Sequence, residues 1–181
     1  TMDIQTSRLF IREAGWDDLE PIHRLHSIPE VDEFNTLGIP RHIDDTRETI
    51  RSMIEDRQSE NRKSYLWTIR LKNEGEFLGL AGMILSLDRF RLGEIFYKLM
   101  PAHWGKGYAT EVSQALINTG FSRFNLHKVE AGVATANLSS IRVLEKCGMI
   151  REGLRRKILP IRGEWVDNYH YAIVEDDPRD Y

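Results

Sequence analysis

The sequence of 181 residues predicts a mixed α+β fold, with one central, mostly antiparallel sheet covered by helices. Three observations carry that prediction. β-rich runs joined by short turns crowd the middle of the chain. Helical periods flank them on both sides. A strand–helix–strand succession in the second half requires a β-α-β crossover.

The elements follow in order. Leu9, Phe10 and Ile11, between Arg8 and Arg12, read as a first strand. Residues 16–26 read as a helix, with Leu19, Ile22 and Leu25 at helical spacing. Asp44 and Asp45 are placed to cap a second helix that carries Ile50, Met53 and Ile54 on one side. Between these helices, residues 29–40 show no clear period and read as an irregular connection. Residues 65–71 and 77–87 are β-rich runs separated by Lys72-Asn73-Glu74-Gly75-Glu76, a hairpin turn. A tight connection over 88–93 leads into a strand over 94–99, which completes an antiparallel meander. Residues 107–124 then read as a helix with Ala109, Val112 and Leu116 in its buried stripe. A short strand over 128–133 and a helix over 138–147 follow. Strands over 154–159 and 165–174 close the chain around Ile161-Arg162-Gly163-Glu164.

The chain is long enough for one well-filled core and short for two, so a single domain over 1–181 is expected. Hydrophobic residues at 41% and charged residues at 29% are ordinary globular usage. A net charge of −3 argues against a dedicated nucleic-acid binder, and no direct nucleic-acid partner is expected. Cys147 is the only cysteine, which excludes an intramolecular disulfide and a cysteine-built zinc site. No run approaches the ~18 apolar residues of a membrane span, and the N-terminus has no apolar signal core. A cytoplasmic protein with no membrane contact is the expectation. His103, His127 and His170 are scattered, with no spacing that suggests a metal.

The most informative stretch is Pro101-Ala102-His103-Trp104-Gly105-Lys106-Gly107-Tyr108-Ala109-Thr110. A strand ends, two glycines follow one residue apart, and a helix begins. Glycine permits close backbone approach, the first turn of a helix leaves amides unpaired, and the helix dipole adds positive potential. No Ser, Asp or Asn stands where the cap belongs, so an external anion such as a pyrophosphate suits the site. Taken alone, Gly-x-Gly reads equally as a turn that merely starts a helix. The stretch lacks the Gly-Lys-Ser/Thr ending of a Walker loop and the third glycine of the dinucleotide fingerprint.

At these residues the chain resembles the GNAT acyltransferase superfamily, and specifically its RimJ/RimL-type branch. The family's pyrophosphate loop, Gln/Arg-x-x-Gly-x-Gly/Ala, is matched by Trp104-Gly105-Lys106-Gly107-Tyr108-Ala109, with Trp104 replacing the usual polar first residue. Three further segments are similar to the branch: Thr6-Ser7-Arg8-Leu9 with Ile11-Arg12, the stretch from Asn137-Leu138-Ser139-Ser140 to Cys147-Gly148-Met149, and Gly163-x-Trp165-x-Asp167. The resemblance covers nearly the whole chain.

It implies a three-layer α/β arrangement with helices on both faces of a sheet that splays between its fourth and fifth strands, here 94–99 and 128–133. Acetyl-CoA would lie in the splay as acetyl donor, with no metal. Gly105, Lys106, Gly107, Tyr108, Ala109 and Thr110 would hold its pyrophosphate, with Trp104 as a packing residue or a flank. An amide near Leu99 or Met100 would bond the thioester carbonyl as charge develops on it. Asn137, otherwise fully explained as a helix cap, would also contact the pantetheine arm. Ser140 would approach the thiolate as proton donor. Arg142 and Lys146, four apart on one helix face, suit the nucleotide 3′-phosphate, although Glu145 beside them makes a solvated face equally natural.

The attacking amine must be neutral, and Glu94 is the first candidate base, with Glu130 second from the partner strand. An exposed strand carboxylate is the alternative for each. The branch's ribosomal-protein enzymes sometimes place a further carboxylate on the penultimate strand, where Leu159 stands here. Cys147 follows an apolar period with Leu144 and reads as core. Arg155-Arg156-Lys157 reads as a wet edge split by strand alternation.

The leading expectation is an N-acetyltransferase acting on a protein N-terminus, as ribosomal-protein Ser/Ala acetyltransferases do. A small-amine acceptor, a non-catalytic acyl-CoA sensor and a structural protein without CoA are the alternatives. A homodimer is conceivable through exposed sheet edges.

Overall fold

The computed structural model describes all 181 residues. Its sheet has eight strands in the order β1 (Ile4–Gln5), β2 (Leu9–Glu13), β3 (Ser64–Leu71), β4 (Phe77–Leu85), β5 (Leu92–Leu99), β6 (Lys128–Ala134), β8 (Glu164–Val174) and β7 (Ile150–Ile161). Every neighbouring pair is antiparallel except β5 and β6, which are parallel. Helix α4 (Tyr108–Ser122) makes the crossover between those two. The helices α1 (Leu19–His26), α2 (Pro29–Asp32) and α3 (Ile43–Glu55) lie between β2 and β3 in sequence, and α5 (Leu138–Lys146) lies between β6 and β7.

Strand alternation sends successive side chains to opposite faces, and two cores result. Trp67 and Ile69 of β3 join Val112, Leu116 and Ile117 of α4 and Ile141 and Leu144 of α5. Leu66, next to Trp67 and out of phase with both, joins Ile22 and Leu25 of α1 and Ile50 and Ile54 of α3 on the other face. The helices thus cover both faces, as the family resemblance implies.

Several boundaries differ from expectation. The edge strand Ile4–Gln5 adds one strand, so the parallel pair is the fifth and sixth rather than the fourth and fifth. The stretch 29–40 is not wholly irregular: Pro29 takes the first position of α2, where its missing N–H costs nothing. Asp44 and Asp45 sit inside α3 rather than at its cap, which is His42. Asp45 instead reaches back to accept the Arg41 amide at 2.9 Å. β4 stops at Leu85, two residues early, and β5 begins at Leu92. β7 begins at Ile150, and its pairing with β8 shifts between Arg155 and Leu159, with Lys157 at a φ of 47°. The shifted pairing interrupts plain strand alternation across Arg155-Arg156-Lys157. No helix is long and apolar enough to cross a membrane.

Candidate active site

β5 and β6 keep register only at Leu92↔Lys128, Gly93↔Val129 and Glu94↔Glu130. β5 nevertheless continues to Leu99 and β6 to Ala134, so the strands part and leave backbone groups facing a gap. Partners alternate from side to side along an antiparallel ladder. The Met100 amide donates to the Leu78 carbonyl at 2.8 Å, on the β4 side. The Leu99 amide, one residue earlier, therefore faces the gap. Of the two amides expected to meet a thioester, Met100 is occupied and Leu99 is the one presented. The Leu99 carbonyl is itself held by the Trp104 indole N–H at 2.9 Å, which gives Trp104 a fixed place at the cleft wall.

Beyond β5 a short 3₁₀ turn, Pro101–His103, leads into Gly105 and Gly107, both left-handed with φ of 73° and 82°. Gly107 is the N-cap of α4, and no side chain caps that end. The first-turn amides of a 15-residue helix thus point outward beside the gap, as an anion site requires. A cleft of about 540 Å³ runs from there along the splay. Gly105, Gly107, Tyr108, Ala109 and Thr110 line it at the helix end, and Leu99 and Trp104 line it at the strand end. Asn137, Ser140, Arg142 and Lys146 supply the α5 side. Glu145 turns away to accept from the Tyr171 hydroxyl at 3.0 Å, so it does not neutralise Arg142 and Lys146. Lys106 is the exception among the predicted loop residues: it does not line the cleft, and its carbonyl accepts from Arg8.

Asn137 caps α5 by accepting the Ser140 amide at 3.3 Å. The Ser140 hydroxyl lies 2.9 Å from the Tyr97 hydroxyl, a contact that sequence reasoning missed. Burial raises the Tyr97 phenol above its ordinary value, against the opposing effect of Ser140. Tyr97 precedes Leu99 by two residues and so shares its face. Cys147 is fully buried, with its thiol pushed up to about 12 by burial, and is held as an uncharged core residue.

A second cavity of about 430 Å³ adjoins the first. Glu94 and Glu130, side by side in register, both line it. His170 Nε2 stands 3.5 Å from Glu130 Oε1, which gives the second carboxylate a polar partner the sequence did not reveal. Phe34, Asn35 and Thr36, from the connection after α2, form the roof, while Arg155, Ile158 and Leu159 of β7 form a wall. Phe34 and Asn35 of that roof line both cavities, as do Tyr97, Asn137 and Ser140, so the two meet there.

Behind the roof, the buried His26 ring lies 3.5 Å from the Lys98 ammonium. Burial, then Lys98, then His23 depress His26 to about 3, while burial lowers Lys98 to about 8 against the pull of Asp32. Between pH 3 and the ordinary value of 6.5, the unfolded chain binds a proton at His26 that the folded chain refuses. Stability from this site therefore rises with pH across that window and falls on acidification. Urea unfolding of His26→Leu should lose less stability than the parent when pH drops from about 7 to about 4. Equal acid sensitivity in the two proteins would contradict this account.

Comparison with known proteins agrees with the geometry. Residues 8–150 match a family model described as an acetyltransferase (GNAT) domain. The chain is 32% identical over 178 residues to the uncharacterized N-acetyltransferase YnaD of Bacillus subtilis, covering 97% of this chain and 99% of YnaD. A similar solved structure is spermidine N-acetyltransferase from Vibrio cholerae in complex with CoA and spermine. It is 22% identical with a TM-score of 0.82, and the match covers 95% of this chain and 98% of that one. Another is RimL, a ribosomal L7/L12 α-N-protein acetyltransferase solved with CoA. It is 18% identical with a TM-score of 0.85, and covers 96% and 98%. At those identities the two structures attest the fold.

Proposed function

This chain belongs to the GNAT acetyltransferase family and is an acetyl-CoA-dependent N-acetyltransferase, and from that premise we propose that it acetylates the N-terminal α-amine of a protein by direct attack in a ternary complex. The observation that carries the reading is the junction at Tyr97, Asn137 and Ser140, where the two cavities meet. One side offers unpaired helix amides and the Leu99 N–H, and the other offers two adjacent carboxylates.

Acetyl-CoA supplies the acetyl group as a thioester. The cleft fits such a donor: an uncapped helix end for a diphosphate, and two cations on α5 for a 3′-phosphate. The Leu99 amide is presented to stabilise negative charge on a carbonyl oxygen. Glu94 and Glu130 take the proton from the incoming ammonium, with His170 orienting Glu130. The Tyr97–Ser140 pair holds a proton for the departing thiolate. No cysteine nucleophile is needed, and Cys147 is unsuited to be one. In this reading residues 1–181 act as a single domain in the cytoplasm.

An α-amine titrates near 8 and needs less help from a base than a lysine near 10.4. The acceptor cavity carries Phe34, Phe96, Ile158 and Leu159 beyond its carboxylates, and Arg155 as a cation. That lining suits a single amine followed by an uncharged segment, and a polycation would meet the Arg155 guanidinium. The second reading, a polyamine or other small amine, is favoured by the Glu94–Glu130 pair and by the Vibrio cholerae neighbour's named substrate.

Mass spectrometry separates these readings. The protein is incubated with acetyl-CoA and a mixed panel of peptides beginning with Ser, Ala or Met, internal-lysine peptides, free amino acids, polyamines and aminoglycosides. Acetylation confined to peptide α-amines is the expected result. Products from small amines alone would replace the acceptor, and binding of acetyl-CoA with no product would point to a sensor.

A further inference from the structure

The segment leading into β2 grips the turn that opens α4. The Thr6 hydroxyl and the Arg8 amide both donate to Glu111 Oε2. Arg8 Nε donates to Glu111 Oε1 at 2.7 Å, and Arg8 Nη1 donates to the Lys106 carbonyl at 3.0 Å. The same guanidinium lies 4.3 Å over the Tyr108 ring. One side chain thus touches the turn, the first residue of the helix and its first-turn carboxylate.

These contacts sit at the rim of the core, with the Arg8 side chain 44% exposed and that of Glu111 17% exposed. With one partner exposed, the pair is partly screened by solvent, which limits its contribution to stability. Their placement is more informative. The turn contains two left-handed glycines, whose freedom leaves its amides poorly fixed without an outside brace. Glu111 adds a second problem, since a carboxylate in the first turn competes with any anion for the helix's positive end. Burial disfavours its charge, but the Thr6 and Arg8 hydrogen bonds outweigh that and keep it ionised. The Arg8 guanidinium supplies the compensating positive charge within the same contact.

We propose that Arg8, braced by Thr6 and Glu111, is a positioning residue that fixes the Gly105–Gly107 turn and neutralises its helix end, setting affinity for the donor's diphosphate without entering the acetyl transfer. The inference rests on the reading of that turn as the pyrophosphate site.

The test is steady-state acetylation with two donors, acetyl-CoA and S-acetylpantetheine, which has the same thioester without the diphosphate. Arg8→Ala should raise KM for acetyl-CoA about tenfold, as expected for losing one charge-assisted contact set. It should change kcat less than about twofold and leave KM for S-acetylpantetheine unmoved. Arg8→Lys keeps the charge but cannot span both acceptors, so it should recover only part of the loss. It also serves as the assay variant if Arg8→Ala melts too low to measure. A KM that rises equally for both donors, or for neither, overturns the positioning role. A parent enzyme that shows no preference for acetyl-CoA overturns the pyrophosphate reading itself, and this inference with it. A preference retained in full by Arg8→Ala overturns only the inference.

Discussion

Gly79→Ala is expected to cost the fold about 3 kcal/mol or more, and to abolish donor binding where the protein remains folded. Gly79 of β4 faces Leu99 of β5 across the sheet. A Cβ at position 79 would lie 1.9 Å from the Lys98 carbonyl oxygen and 2.9 Å from the Leu99 Cα. Those atoms are backbone, so no rotamer change relieves the overlap and β5 itself must move. The stretch it would move presents the Leu99 amide to the gap, which couples a packing defect in β4 to the cleft. Gly153→Ala is the matched control, because its Cβ meets nothing within 4 Å and its φ is not left-handed. It should fall within about 0.5 kcal/mol of the parent. Urea unfolding of both variants, with acetyl-CoA titrations on the folded fraction, makes the comparison. A Gly79→Ala protein as stable as Gly153→Ala would mean that β4 and β5 are not packed as closely as the structure has them.

What the sequence revealed of this site follows from how local each feature is. The Gly105–Gly107 turn was readable because its signal is self-contained: two glycines that must go left-handed, followed by a helix without a capping side chain. Asn137 was readable for the same reason, since a cap and its target amide lie three residues apart. Tyr97 was not, because its meaning depends on Ser140, 43 residues away, across a splay that no periodicity encodes. His170 escaped for a similar reason: it reaches Glu130 only once β8 has paired with β6. The choice between the Leu99 and Met100 amides turned on ladder phase, and that phase is set by the pairing of β5 with β4. The shifted pairing around Lys157 carries no warning either, since a lysine rather than a glycine takes the positive φ. The general architecture survived these misses because each core face is written in several residues at strand or helix spacing, whereas a contact between two faces rests on one.

Joint replacement of Glu94 and Glu130 by glutamine tests the chemistry most directly. General-base removal of a proton contributes about 10²–10⁴-fold, and a loss of that size in kcat/KM is expected at pH 7. Each single variant should lose less, because the two carboxylates are register partners on one face and either can serve when the other is gone. Donor affinity should be unchanged, since neither residue lines the cofactor cleft. The pH profile separates a base from a binding anion. About nine-tenths of an α-amine titrating near 8 is protonated at pH 7, so a base matters there. By pH 9.5 solvent has already produced the neutral amine, and the gap between parent and double variant should shrink about tenfold. A carboxylate pair that only holds a cationic acceptor predicts a different course: a raised KM at pH 7, and a parent that itself weakens as the amine loses its charge. Full activity of the double variant at pH 7 would leave deprotonation to water. The carboxylates would then be ordinary exposed strand residues, and the direct-attack reading would rest on the Leu99 amide and the Tyr97–Ser140 pair.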